Sequence, residues 1–131
     1  MKKHILFFLT MVMTSAMFAG TPVSTTKIEV YYFHFTRRCT TCQNVENVSK
    51  KAVETLYPEK VKNGQVVFLS VNLDEKAGEA IGAKYKIEGQ TLIIISGNKR
   101  VDLTDKGFLY ANDSPAKLKA EIKKAVDNLL K

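Results

Sequence analysis

Three stretches of the chain combine apolar, aromatic and β-branched residues over the length of a strand. The first covers residues 27–35, KIEVYYFHF, whose composition favours a strand. The second covers residues 66–73, VVFLSVNL, and is nearly continuously apolar, which is typical of a strand buried on both faces. The third covers residues 92–95, LIII, and the turn after it leads into residues 100–103, so we predict a hairpin here.

Between the strands, apolar residues recur at helical spacing. They do so from about residue 40 to residue 57, and Pro58 cannot continue that helix. Residues 76–85 mix small apolar and charged side chains and predict a shorter helix, which Gly78 and Gly82 weaken. These two segments supply two strand-to-helix crossovers.

The end of the chain predicts another long helix. Ser114 suits the N-cap and Pro115 the first helical position. The apolar stripe of this helix comprises Leu118, Ile122, Ala125, Val126 and Leu129. The order strand, helix, strand, helix, hairpin, helix predicts an α/β fold, a mixed β-sheet flanked by helices on both faces.

The first twenty residues have the pattern of a secretory signal peptide. Lys2 and Lys3 precede an apolar run at residues 5–12, and small residues follow up to Gly20. We predict a signal peptide at 1–20 and one domain at 21–131, which places the protein in the periplasm. An uncleaved membrane anchor is the alternative, although the apolar segment is shorter than the ~20 residues of a spanning helix.

Charge adds little to this picture. The chain has 20 Lys and Arg against 13 Asp and Glu, a formal charge of +7. Such a balance can indicate nucleic acid or a membrane surface as partner. Here the lysines are spread along the chain and are densest on the polar side of the terminal helix, so we interpret them as a solvated face and expect no nucleic-acid partner.

The chain has two cysteines, Cys39 and Cys42, and their spacing limits what they can do. A disulfide between them would close a loop of four residues and stabilise the fold by roughly 2 kcal/mol, against about 3 for a fifteen-residue loop. An exported location allows disulfides to persist. Reactivity or metal binding therefore explains the pair better than stabilisation does.

A C-x-x-C pair at a helix start has a physical reason. The unpaired N–H groups and the positive end of the helix dipole favour a thiolate at the first cysteine. In such a setting a thiol pKa of about 8.5 can fall to roughly 3.5 to 7.5. Arg37 and Arg38, directly before Cys39, are expected to act in the same direction.

With Cys39-Thr40-Thr41-Cys42 at the first strand-to-helix turn, this order of elements resembles the thioredoxin fold. The resemblance implies that Cys39 is the nucleophile and Cys42 the resolving thiol. Two differences are visible around the pair. Arg38 stands where thioredoxins usually have Trp, and Thr40-Thr41 replaces Gly-Pro, so no redox potential can be carried over.

Two further family features are missing. The buried acid of thioredoxins, six residues before the first cysteine, corresponds to Phe33, which leaves His34 as the nearby candidate proton acceptor. His34 could equally be a hydrogen-bonded packing residue. The cis-proline corresponds to Gln90, which could offer its amide to a partner or fill the turn.

A narrower resemblance rests on residues 31–42, YYFHFTRRCTTC. This run is similar to a small bacterial family, the F subunit of nitrophenyl-compound nitroreductase systems. The resemblance implies a thioredoxin-like protein that works with a membrane-associated electron donor and relays reducing equivalents through Cys39 and Cys42.

Our leading hypothesis is therefore an exported, monomeric thiol-disulfide redox protein that relays electrons to or from a protein partner. No flavin, haem or iron–sulfur motif is present, so no cofactor is expected, and whether the protein is an enzyme stays open. One alternative is a soft-metal or arsenic(III) binding protein that uses the CxxC thiolates, with His34 or a second chain completing the site. Another is a catalytically inactive adaptor.

Overall fold

The computed structural model describes residues 25–131. The predicted signal peptide and the first residues of the predicted domain lie outside this range. No helix in the described range is long and apolar enough to cross a membrane. The elements are β1 (Ile28–His34), α1 (Thr40–Leu56), α2 (Pro58–Lys62), β2 (Val66–Asn72), α3 (Lys76–Tyr85), β3 (Thr91–Ser96), β4 (Lys99–Asp102), α4 (Thr104–Tyr110) and α5 (Pro115–Leu130).

The four strands form one mixed sheet in the order β2-β1-β3-β4. Strand β1 runs parallel to β2 and antiparallel to β3, and β3 pairs with β4 as the predicted hairpin. The predicted fold class is confirmed. The chain has an α/β, thioredoxin-like fold, with the mixed sheet between helices on both faces.

Alternation along β1 gives each face of the sheet its own core. Val30 and Tyr32 face α1 and α5 within the larger cluster of buried side chains. Tyr31 and Phe33 point the other way and pack in a second cluster, against which Tyr85 of α3 also lies. Because both faces are apolar, β1 belongs at the centre of the sheet, where both of its edges are paired.

The parallel register determines where the first helix begins. Ile28 pairs with Val66 and His34 with Asn72, so β1 and β2 end at the same edge of the sheet. The loops that follow them leave from that edge and contact each other. The backbone N–H of Thr36 donates to Oδ2 of Asp74 at 2.7 Å. Helix α1, with the two cysteines in its first turn, starts beside this junction.

Two helices were not predicted. Pro58 ends α1 as expected, but it also occupies the first position of the short helix α2, where a missing N–H costs nothing. Helix α4 lies between β4 and α5, and its start is supported by the N–H of Thr104, which donates to Oδ1 of Asp102 at 2.9 Å. Ser114 is the N-cap of α5 and Pro115 its first residue, as predicted, although the Ser114 side chain makes no capping hydrogen bond.

Helix α3 has the predicted bounds, and its glycines have a packing role. A Cβ atom at Gly78 would lie 1.8 Å from the carbonyl oxygen of Asn72, which is the last residue of β2. One at Gly82 would lie 2.7 Å from a methyl carbon of Leu73. The two glycines weaken the isolated helix but allow it to lie against the end of β2.

We expect Gly78→Ala to lower the free energy of unfolding by about 1–3 kcal/mol in urea denaturation, because the contact is with backbone that cannot move aside. Helix propensity alone would change stability in the opposite direction, by about 1 kcal/mol in favour of Ala. Gly89→Ala is the matched control, since a Cβ atom there meets nothing within 4 Å. A Gly78→Ala variant as stable as the parent would contradict the packing role.

Candidate functional site

Cys39 and Cys42 form a disulfide in the first turn of α1, with their Cα atoms 5.1 Å apart. Cys39 is the N-cap residue and has extended backbone, with φ −72° and ψ 165°. Its Sγ accepts the N–H of Cys42 at 3.1 Å. The sulfur thus takes the place of the side-chain oxygen that usually caps a helix. It accepts an N–H group that has no partner within the helix, at the positive end of the helix dipole.

The two sulfur-bearing residues differ in access to solvent. Cys39 is exposed, whereas Cys42 is only 3% exposed. An incoming thiolate can therefore reach Cys39, while Cys42 is shielded from other molecules. The roles of nucleophile at Cys39 and resolving thiol at Cys42 stay a prediction.

The two arginines before the disulfide are in different surroundings. Arg38 forms an ion pair with Glu46, which lies one helical turn beyond Cys42, and both side chains are mostly buried. Arg37 is exposed and has no hydrogen bond or ion pair within the described range. Glu46 was not singled out in the sequence, and it offsets the charge that Arg38 was expected to direct at Cys39.

Tyr32 lies beneath this ion pair. It is fully buried, and its hydroxyl donates to Oε1 of Gln90 at 3.2 Å. Burial raises the pKa of Tyr32 to about 12, with Arg38 lowering it and Glu46 raising it. Gln90, predicted to offer its amide to a partner or to fill the turn, is half-buried, and its side-chain oxygen bonds to β1.

Phe33 is six residues before Cys39, where thioredoxins have their buried acid, but its side chain does not face the cysteines. Its ring lies 5.5 Å from that of Tyr31 and 6.5 Å from that of Tyr85, on the α3 face of the sheet. Tyr32 is the neighbouring residue that faces α1. The alternation along residues 28–33 could have shown this, because side chains one residue apart on a strand point to opposite faces.

His34 has both ring nitrogens engaged. Nδ1 lies 2.9 Å from the carbonyl oxygen of Phe35, so this nitrogen carries the proton and donates it. Nε2 lies 2.9 Å from Oγ of Ser70 and accepts its hydroxyl hydrogen in the neutral tautomer. This is the arrangement of a hydrogen-bonded packing residue, and it leaves neither nitrogen open to the Cys42 thiol.

The amide of Asn112 bonds to Thr41, which lies between the cysteines, and to Asn44 of α1. Nδ2 of Asn112 donates to Oγ1 of Thr41 at 2.8 Å. Oδ1 of the same amide accepts from Nδ2 of Asn44 at 2.9 Å. Asn112 follows the unpredicted helix α4, about seventy residues from its partners, and no motif in the sequence could have identified it.

The metal alternative needs a further ligand, from His34 or from a second chain. No group of three or more His, Cys, Asp or Glu side chains able to hold a metal ion occurs within residues 25–131. His34, the proposed third ligand, is bonded to Phe35 and Ser70 instead.

No family model and no curated protein matches the chain. Among solved structures, it is similar to the germline-specific thioredoxin Deadhead of Drosophila melanogaster, with a TM-score of 0.47, 22% identity and coverage of 75% of this chain and 80% of that one. It is also similar to the thioredoxin of Fasciola hepatica, with a TM-score of 0.45, 25% identity and the same two coverages.

The exposure difference predicts which thiol reacts. In the Cys42→Ser variant we expect the remaining thiol, Cys39, to be alkylated by iodoacetamide at least about tenfold faster than Cys42 is in the Cys39→Ser variant, since thiolate character and access control the rate. Mass spectrometry of quenched samples measures both rates. Equal rates in the folded variants would contradict the assignment of Cys39 as the accessible sulfur.

The ion pair predicts a change in reactivity at fixed pH. Glu46→Gln leaves the Arg38 charge uncompensated beside Cys39, so we expect faster alkylation of reduced Cys39 at pH 6.5, by about two- to fivefold. Arg38→Gln should slow the reaction. Asp127→Asn is the control, because this carboxylate also pairs with a cation, Lys123, but on α5. Unchanged rates in both Arg38→Gln and Glu46→Gln would contradict the electrostatic effect.

Proposed function

We propose that the protein carries out thiol-disulfide exchange through Cys39 and Cys42. The observation that supports this proposal best is the disulfide itself, with one exposed and one buried sulfur at the N-terminus of a helix. A disulfide across so short a loop stabilises the fold less than one across a longer loop would, and the exposed Cys39 gives a partner access to it. These features favour a working site over an inactive adaptor.

The exchange proceeds in two displacements. A thiolate of a reduced protein partner attacks Sγ of Cys39, the bond between Cys39 and Cys42 breaks, and Cys42 leaves as a thiolate. A second thiol of the partner then attacks the partner's sulfur in the mixed disulfide and releases Cys39 as a thiolate. The partner is oxidised to a disulfide by two electrons, and this protein is reduced by the same two.

The first turn of α1 favours Cys39 as the leaving thiolate in the second displacement. Its sulfur already accepts the N–H of Cys42, and this bond strengthens when the sulfur carries a full negative charge. The exposed Arg37 side chain adds a positive charge at the same loop. The reduced protein can then pass its electrons on, with Cys39 attacking an oxidised partner and Cys42 resolving the mixed disulfide.

The finer part of the proposal concerns location and partner. We propose that the chain acts in the periplasm, as a monomer, and exchanges electrons with a membrane-associated donor. The support for this lies in the sequence: the signal-peptide pattern of residues 1–20, and the resemblance of residues 31–42 to the F subunit of nitroreductase systems.

We expect the Cys39–Cys42 pair to cycle reversibly in a series of glutathione redox buffers. The reduced fraction, measured by thiol labelling and mass spectrometry, should follow a single two-electron transition. The Cys42→Ser variant should accumulate a mixed disulfide with a partner in cell extracts, and Cys39→Ser, the matched control, should not. A pair that stays oxidised in excess dithiothreitol, or a Cys39 that forms no mixed disulfide, would rule out the exchange function.

A further inference from the structure

The end of the sheet opposite the disulfide is strongly basic. Strand β1 runs from this end to the disulfide over seven residues, or about 20 Å. Strand β3 runs the other way, so the turn at Gly97 and Asn98, between β3 and β4, lies at the end where β1 begins. The first described residue, Thr25, lies at this end as well.

Two adjoining clefts define this surface, and they share Gly97 and Lys99. The larger one, of about 530 Å³, also contains Lys27 and Lys131. The smaller one, of about 260 Å³, is lined by residues from α3 and β4. No Asp or Glu lines either cleft. We call this surface the basic end, and its cations are Lys27, Lys84, Lys86, Lys99, Arg100 and Lys131.

Half of these charges are uncompensated. Lys27 pairs with Glu29 at 3.2 Å, and Arg100 lies 3.9 Å from Asp102. Lys131 forms no ion pair within residues 25–131, but its charge helps to lower the pKa of the Asp127 carboxyl. The three cations left without an acidic partner in the described range are Lys84, Lys86 and Lys99. Three unpaired positive charges around two joined clefts attract an anionic partner.

Lys86 is held at this surface at a conformational cost. It has φ 55° and ψ 48°, the left-handed conformation at a helix C-terminus where Gly or Asn is favoured. A cation there is not needed to satisfy the end of α3, because Nη1 of Arg100 already donates to the carbonyl oxygen of Tyr85 at 2.7 Å. The Lys86 side chain is therefore not engaged at the helix end and lies exposed at this surface.

We propose that the basic end binds an anionic lipid surface. The charge pattern requires an anionic partner, and the course of the chain favours a membrane over a nucleic acid or an acidic protein. The chain enters the domain at Thr25, beside Lys27 and Lys131. In the uncleaved-anchor alternative, the apolar run at residues 5–12 joins the domain at this same end. Lipid phosphates at this end would meet the unpaired lysines directly.

This binding would orient the redox site. Because β1 spans the distance between the two ends, a domain seated on its basic end holds Cys39 about 20 Å above the lipid phosphates and facing away from them. The disulfide would then be presented to the water-exposed part of a neighbouring membrane protein. The lipid-binding proposal itself does not depend on the exchange chemistry.

Co-sedimentation with vesicles tests the proposal. The probes are vesicles of phosphatidylcholine alone and vesicles with about 30% phosphatidylglycerol, at low salt and at 0.5 M NaCl. All variants are full chains as recovered from cells, with identical N-termini by mass spectrometry, so any apolar contribution of the first residues is common to them. We expect tighter binding to the anionic vesicles at low salt and loss of that difference at high salt.

The triple variant Lys84→Gln, Lys86→Gln, Lys99→Gln should lower the anionic partition coefficient by about a hundredfold. The matched control removes three lysines of α5 instead (Lys117→Gln, Lys119→Gln, Lys124→Gln) and should lower it less than about fivefold. Circular dichroism and thermal melting confirm that both variants are folded.

Three results would overturn the proposal: equal binding to neutral and anionic vesicles, an equal loss in the two triple variants, or tighter binding to a single-stranded oligonucleotide than to the anionic vesicles at the same salt. Failure of the glutathione titration would leave these vesicle results unchanged, so the two proposals can fail separately.

Discussion

The pairing of β1 on both of its edges is the constraint on which the rest of the structure depends. Parallel pairing with β2 brings the two following loops to one edge of the sheet, and antiparallel pairing with β3 brings Gln90 to the same edge. Alternation along β1 then sends Tyr32 towards α1 and Phe33 away from it. The N-terminus of α1 is placed by this strand, and with it the sulfur of Cys39.

The electrostatics of the site follow from that placement. A cysteine at an N-cap has a helix N–H group to stabilise its thiolate, but here the nearest partly buried charges are an Arg38–Glu46 pair above a buried tyrosine. No carboxylate on β1 faces Cys42. The buried polar contacts behind the disulfide therefore run through Tyr32 and Gln90, and the charge beside Cys39 depends on how completely Glu46 offsets Arg38.

Sequence patterns predicted the elements that bury their own apolar faces. Helix α3 was found with its bounds, and the strands to within a residue or two, because their composition is strand-like or helical over their whole length. Helix α4 was missed because its position depends on tertiary contact: a Cβ at Gly107 would lie 3.0 Å from Val45. Asn112 and Glu46 were missed for a related reason, since each matters only through a partner that the fold brings close.

The two ends of the sheet serve different chemistry, and β1 keeps them apart. Disulfide exchange needs an accessible sulfur, and at a helix N-terminus the positive end of the dipole favours its thiolate. A lipid surface needs cations without acidic partners, and Lys84, Lys86 and Lys99 supply them around the β3–β4 turn. A seven-residue strand with both edges paired is too rigid to bring the two together. A redox partner at Cys39 and a lipid surface at the basic end can therefore be bound at the same time, because they contact opposite ends of the sheet.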